Sequence, residues 1–239
     1  MTTACIVQAR VASTRLPAKV LKEVAGEAVL GHVLRRCRAI PGNDIVVCAT
    51  VANAECEPIT AIAEAYGALV FKGSELDVLD RYLQAARSID ADLVMRVTSD
   101  CPLIDPGVCG EVFAAHIRAN AEYSANFFTH GFPHGLDCDV FSRSLLERCA
   151  REATDAADRE HVTLWMRRRT DLRRARVDGP GGVRATWRWT IDYPEDLAFL
   201  RALHAHLPPP PAIPSWTEMA EVIERHPELA EINAARRQR

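Results

Sequence analysis

Nowhere in this chain of 239 residues do two cysteines form a CxxC pair; the eight are spread over positions 5, 37, 48, 56, 101, 109, 138 and 149. Several fall inside apolar runs that read as buried strands or helices, so they are expected to be reduced thiols and not zinc ligands. No apolar run approaches the ~18 residues needed to span a bilayer, and the amino terminus lacks the charged-then-apolar pattern of a signal peptide. A cytoplasmic location without membrane contact is the expectation. Positive charge is also short: 29 Lys and Arg face 32 Asp and Glu, a net charge of −3, which excludes a strong general affinity for nucleic acid. Any anion site must therefore be local. No DxD motif follows a central strand, which weighs against a glycosyltransferase, and the only low-complexity tract is the proline run 208–211.

A further absence sharpens the most informative stretch, residues 4–21, ACIVQARVASTRLPAKVL. No glycine lies between Gln8 and Lys19, so this is not a GxxxxGK[ST] loop and backbone amides cannot approach phosphates closely. Instead Arg10, Ser13, Arg15 and Lys19 follow an apolar strand-like run. Charge-assisted hydrogen bonds from such side chains are worth about 1.5–3 kcal/mol each, and the set suits a polyphosphate. A solvated basic loop is the plainer reading.

The apolar runs ACIVQA, DIVVCAT, ALVF and DLVMRVT alternate with helical patterns near 28–40, 54–66 and 77–89, which predicts an α/β fold with a parallel sheet covered on both faces. Ligands on such sheets bind beyond the carboxyl ends of the strands, here the polar loops 10–19, 50–54, 72–77 and 99–105. After a helix near 106–119, EYSANF, LDCDVF, RRARV and RWTID read as further strands, adding antiparallel pairs, with helices near 142–152 and 155–169. Pro194 opens a helix to about His206, and the prolines lead to a last helix over 216–225 and a polar tail ending ARRQR. One domain is expected, with a nucleotide-binding half (1–127), an acceptor and dimerisation half (128–206) and a helical extension (207–239).

Asp100 and Asp192 both follow strand-like runs and precede proline-initiated turns. One or two carboxylates plus substrate phosphates are the usual way to hold Mg²⁺, which makes this pair a metal candidate; a turn-forming role for Asp100 and a helix cap for Asp192 are the structural alternatives. Asp137 and Asp139 share a strand face, yet nothing nearby separates them into an acid and a base as a hydrolase requires. Arg159, Glu160 and His161 form a polar triplet that is either functional or an exposed helix face, and Arg167–Arg169 read as a solvated or interface face.

These blocks, from IVQARVASTRLPAKVL through GSELDVLDRY, RVTSDCPLID, FPHGLDCDVF and REHVT to WTIDYPEDL, resemble the cytidylyltransferases that activate acidic sugars, the CMP-KDO and CMP-sialic acid synthetases, and most of all the group called spore coat polysaccharide biosynthesis protein F. The resemblance implies a GT-A-like nucleotidyltransferase fold with a Rossmann-like mixed sheet, and transfer of a cytidylyl group from CTP to an acidic sugar with Mg²⁺ and release of pyrophosphate, in a homodimer. It places Arg10, Ser13, Arg15 and Lys19 on the triphosphate, with Lys19, Arg10 and Arg15 catalytic, and Asp100 and Asp192 on the metal. Gln8, Ala9, Thr50, Asp80, Arg81 and Ser99 would surround the nucleoside, and His134, Asp137, Asp139, Arg159, Glu160 and His161 would face the acceptor. Departures from the pattern are Ala12 and Ala18 where many relatives carry glycine, Ser99 for the usual glycine before the metal aspartate, and Asp139 for glutamate. Transfer to a sugar 1-phosphate, alcohol or phosphonate, and a catalytically silent nucleotide-binding subunit, stay open at this level.

Overall fold

Alternation of side chains along apolar strands, with one set facing each side, decides the architecture. In the computed structural model, which describes residues 1–237, the strands β1 (Thr3–Gln8), β4 (Ile45–Val51), β5 (Leu69–Gly73), β6 (Leu93–Thr98), β7 (Tyr123–Ala125), β8 (Asp139–Ser142) and β9 (Arg174–Arg176) form one sheet in the order β5-β4-β1-β6-β8-β7-β9. The first four are mutually parallel, β8 runs antiparallel to β6 and β7, and β9 runs parallel to β7. The expected mixed sheet with a parallel amino-terminal half is therefore present. Between β1 and β4, the short strands β2 (Glu23–Val24) and β3 (Glu27–Ala28) make a hairpin whose turn, Ala25 and Gly26, has positive φ at both residues.

On one face Cys5, Val7, Met95 and Val97 pack against helices α1 (Val29–Arg38), α2 (Glu57–Ala65) and α4 (Pro106–Arg118). On the other, Ala4, Ile6 and Val94 pack against α3 (Val78–Ser88), α5 (Arg143–Glu152) and α7 (Leu164–Arg168), the last preceded by α6 (Ala156–His161). All eight cysteines are buried free thiols. No described helix is long and apolar enough to cross a membrane.

Three expectations change. The run RWTID forms no strand: its one ladder contact is the bridge between His134 and Arg188. Trp187 just before it and Trp189 and Ile191 within it alternate and are buried in a third cluster with α8 (Pro194–His204) and α9 (Trp216–Arg225), so the period of two reflects burial without strand pairing. Gly135, at φ +116°, lets the chain press on this segment, since a Cβ there would meet the Trp189 carbonyl carbon at 2.7 Å. The helix expected over 155–169 breaks into α6 and α7 at Val162, whose φ of 57° is exceptional for a β-branched residue. Finally, the tail is partly structured: α10 (Glu228–Glu231) buries Leu229 and Ala230 in the third cluster, so the extension docks on its own chain. Gln238 and Arg239 of the predicted tail lie outside the described residues.

His116 on α4 is only 3% exposed, and burial lowers its pKa from the usual 6.5 to about 4. The fold keeps it neutral while the unfolded chain takes up a proton, so stability is complete above pH 6.5 and falls as the pH drops towards 4, by about 3 kcal/mol for this residue. Urea midpoints of wild type and His116→Gln at pH 7 and 4.5 check this: the variant should show a shallower loss on acidification.

Candidate active site

The carboxyl ends of β1 and β6 open into a cleft of about 470 Å³. β1 delivers Gln8 to its floor, and the loop that follows carries Arg10, Ser13 and Arg15 along its wall. Ala18 then turns the chain through a left-handed conformation, φ 52°, and a 3₁₀ turn over Lys19–Leu21 sends Lys19 back into the cleft. The left-handed backbone at Ala18 is disfavoured for any residue with a Cβ and is one that glycine adopts without steric cost.

Lys19 Nζ donates to Asp100 Oδ2 and to Asp192 Oδ1, each at 2.8 Å. Arg15 also reaches Asp192 Oδ1 at 2.8 Å, with its guanidinium 5.2 Å from the Tyr193 ring centre, and Arg188 binds the other oxygen, Oδ2, at 2.8 Å. Burial is the largest single influence on Lys19 and pulls its pKa down, but the two carboxylates together outweigh it and hold the ammonium above its usual value. Burial likewise pushes Asp100 and Asp192 up, and Lys19, helped by Thr98 at Asp100 and by Arg188 at Asp192, draws both below the ordinary carboxylate range. At neutral pH the centre is a fully ionised cluster.

The donor set suits a divalent cation brought in with a nucleotide. Asp100 and Asp192 flank a single point, now taken by the Lys19 ammonium, and among the described residues no three His, Cys, Asp or Glu side chains converge to hold a metal alone. Two carboxylates plus phosphate oxygens is the arrangement usual for Mg²⁺. Asp192 is not the cap of α8: Tyr193 holds that position, and Asp196 accepts from the Asp192 and Tyr193 amides at 2.9 and 3.0 Å.

A second cleft, about 430 Å³, shares Arg96, Thr98, Asp100, His161 and Asp192 with the first. His134 and Asp137 stand on its wall, their side chains 3.8 Å apart. Asp139, fully buried, accepts from Tyr123 (2.9 Å) and Thr163 (2.7 Å) and pairs with Arg167 at 3.5 Å. The turn at Val162 arranges this: Thr163 N donates to the His161 carbonyl at 2.6 Å, closing a strained γ-turn that leaves His161 on the cleft wall and Thr163 against Asp139.

Among the sequence-predicted residues, Gln8, Ala9, Arg10, Ser13, Arg15, Lys19, Arg81, Ser99, Asp100, Glu160, His161 and Asp192 line the first cleft, and His134, Asp137, Asp139 and His161 the second. Thr50 and Asp80 line neither. Asp80 instead accepts from Gln84 at 2.9 Å, and Thr50 is enclosed in the sheet. Arg159 also lines neither: Asp77 takes its Nε at 2.7 Å, and the Ala150 and Ala153 carbonyls accept from its Nη1. Two arginines on the lining were missed. Arg167 was read as part of a solvated or interface face with its neighbours, but it lines the second cleft, its guanidinium 4.2 Å from the Phe127 ring centre, while Arg168 and Arg169 pair with Asp158 and Asp171. Arg96, an arginine inside an apolar strand, shares a strand face with Thr98 at period two and points to the same place. That spacing was the available signal.

The chain matches the sequence profile of the cytidylyltransferase family over residues 4–222. It is 31% identical to spore coat polysaccharide biosynthesis protein SpsF of Bacillus subtilis over 232 residues, covering 94% of this chain and 95% of that protein. A 3-deoxy-manno-octulosonate cytidylyltransferase of an Anaeromyxobacter species is 37% identical over 225 residues, 85% of each chain. A solved cytidylyltransferase from Leptospira borgpetersenii superposes with a TM-score of 0.89 at 28% identity, covering 96% of this chain and 97% of that one. With the cationic loop and the two aspartates in one cleft, this chain belongs to the cytidylyltransferase family and is a nucleotidyltransferase.

Proposed function

We propose that the protein transfers a cytidylyl group from CTP to a hydroxyl of an acidic sugar of the KDO or nonulosonic type, releasing pyrophosphate, for the synthesis of a surface polysaccharide. The observation that carries this reading is the wall common to both clefts: a cation-lined chamber and a second chamber meet at Asp100 and Asp192. Arg10 and Arg15 hold the β- and γ-phosphates, and Lys19 moves from the carboxylates to an α-phosphate oxygen. Asp100 and Asp192 would hold Mg²⁺, which supplies charge neutralisation on the phosphate oxygens. The acceptor oxygen, lying in the second cleft, attacks the α-phosphorus in line; the bond to the β-phosphate oxygen breaks and pyrophosphate leaves along the arginine-lined wall. His161, which faces both chambers, is placed to take the hydroxyl proton. Positioning and fixed charge account for most of the acceleration in such a site.

An acidic acceptor is favoured by Arg96. It makes no hydrogen bond or ion pair among the described residues, and its Nε is buried without a partner. Asp139, its neighbour across the β6–β8 pair, takes Tyr123, Thr163 and Arg167 all on Oδ2, and its Oδ1 is buried without a hydrogen bond. An arginine on a cleft wall whose guanidinium makes no ion pair of its own suits a carboxylate. Calorimetric titration with CTP, UTP, ATP and GTP, each with and without Mg²⁺, tests the nucleotide: selective, metal-dependent CTP binding supports the reading, and preference for another nucleotide removes it. Product identification with 3-deoxy-2-ulosonic acids then tests the acceptor. Arg96→Ala should raise the KM for the acid about 10- to 100-fold, more than it weakens CTP binding, since Arg96 lines both clefts.

A further inference from the structure

Asp192 is steered from behind. Arg188, whose side chain is 5% exposed, donates to Asp192 Oδ2 at 2.8 Å and grips Asp196 with Nε at 2.9 Å and Nη2 at 3.1 Å. Asp196 is wholly buried and takes donors on both oxygens: besides Arg188, the Asp192 and Tyr193 amides bind Oδ2, and Asn233 Nδ2 binds Oδ1 at 3.0 Å. Asn233 Nδ2 also donates to the Arg188 carbonyl at 2.9 Å. Asn233 belongs to the carboxyl-terminal segment, beyond residue 222 where the family profile ends, and Leu229 and Ala230 anchor that segment in the third core cluster. Next to it Arg236 binds Glu195 at 3.1 Å and lies 4.2 Å from the centre of the Tyr193 ring that Arg15 covers from the cleft side.

We propose that the carboxyl-terminal segment is part of the active site: Asn233, through Asp196 and Arg188, sets the orientation of the Asp192 carboxylate and thereby the affinity of the cleft for a metal–nucleotide complex. With Oδ2 fixed on Arg188, only Oδ1 is left to face Lys19, Arg15 and an incoming cation, so Asp192 offers one oxygen and not two. Losing partners of this kind behind a metal ligand typically weakens metal binding by about 10- to 100-fold. The inference rests on the metal–CTP reading above and is separable from it.

The test is titration of Mn²⁺ into the full-length protein with saturating CTP, following free Mn²⁺ by electron paramagnetic resonance. Compared are wild type, Asn233→Ala, Arg188→Lys, Arg188→Gln, and a control, Ile223→Val, which loosens the same cluster without touching these hydrogen bonds. Arg188→Gln should bind Mn²⁺ about 10- to 100-fold more weakly. Asn233→Ala should weaken it several-fold, Arg188→Lys should recover part of the loss, and the control should match wild type despite a lower melting temperature. Should Arg188→Gln fail to fold, Asn233→Ala carries the test. Equal Mn²⁺ affinity in wild type and Asn233→Ala overturns the proposal, as does an equal loss in the Ile223→Val control. No Mn²⁺–CTP binding by wild type removes the metal–CTP reading and this inference with it.

Discussion

Lys19→Ala is expected to lower kcat by about 10²- to 10³-fold, the usual cost of removing a well-placed charge donor, while tightening Mn²⁺ binding to the nucleotide-free protein. The opposed signs come from one geometry. Without nucleotide, the ammonium is 2.8 Å from each of two carboxylates and competes with any cation for them. Its removal leaves Asp100 and Asp192 facing each other without the charge that draws both below their usual pKa, a state that a divalent cation relieves. During turnover the same ammonium is needed on the phosphate, and alanine supplies nothing there. Pyrophosphate release and a Mn²⁺ titration without nucleotide read the two effects separately. Near-normal turnover with unchanged metal affinity would reduce Lys19 to a structural ion-pair partner.

The parallel half of the sheet was legible because β1, β4 and β6 are buried on both faces and read as continuous apolar runs, and the loop after β1 was legible because three cations and a hydroxyl fall within ten residues of an apolar run. The errors share a cause, which is that long-range partners outweigh local pattern. Arg159 is claimed by Asp77, 82 residues away in sequence, and no local rule anticipates that pairing. Trp187 and Trp189 alternate as strand residues do, yet the partner of that segment is the 134 bend and the Asp100 carbonyl, which accepts from Ile191 N at 2.9 Å. The break at Val162 runs against propensity, and its compensation, Thr163 on Asp139, is again tertiary. Arg167 escaped notice inside a run of three arginines whose other two members pair with Asp158 and Asp171 away from the clefts. The shared lesson concerns charge: an ionised side chain goes where its counter-ion is, and sequence periodicity does not report that position.

Asp100→Asn should abolish metal-dependent turnover, a fall of at least ~10²-fold, while leaving the fold in place. The turn after β6 does not hang on this carboxylate. It is the Asp100 carbonyl that accepts from Ile191 N and from Thr190 Oγ1, both at 2.9 Å, and asparagine keeps that carbonyl. What the side chain contributes to stability is its contact with Lys19, and the sign of its pH dependence follows. Because Lys19 and Thr98 hold the carboxyl below its usual 3.8 against the opposing pull of burial, the contribution is present above that value and is lost as the pH falls through the lower value in the fold. Wild type should therefore melt slightly above the variant at pH 7, and the two curves should converge well below pH 4. Lys19 retains Asp192 at 2.8 Å in the variant, which keeps the difference at neutral pH small. A variant that unfolds at pH 7 would show that Asp100 serves the turn and not the metal; one that keeps both its fold and its metal-dependent activity would move the metal to Asp192 with substrate phosphates alone.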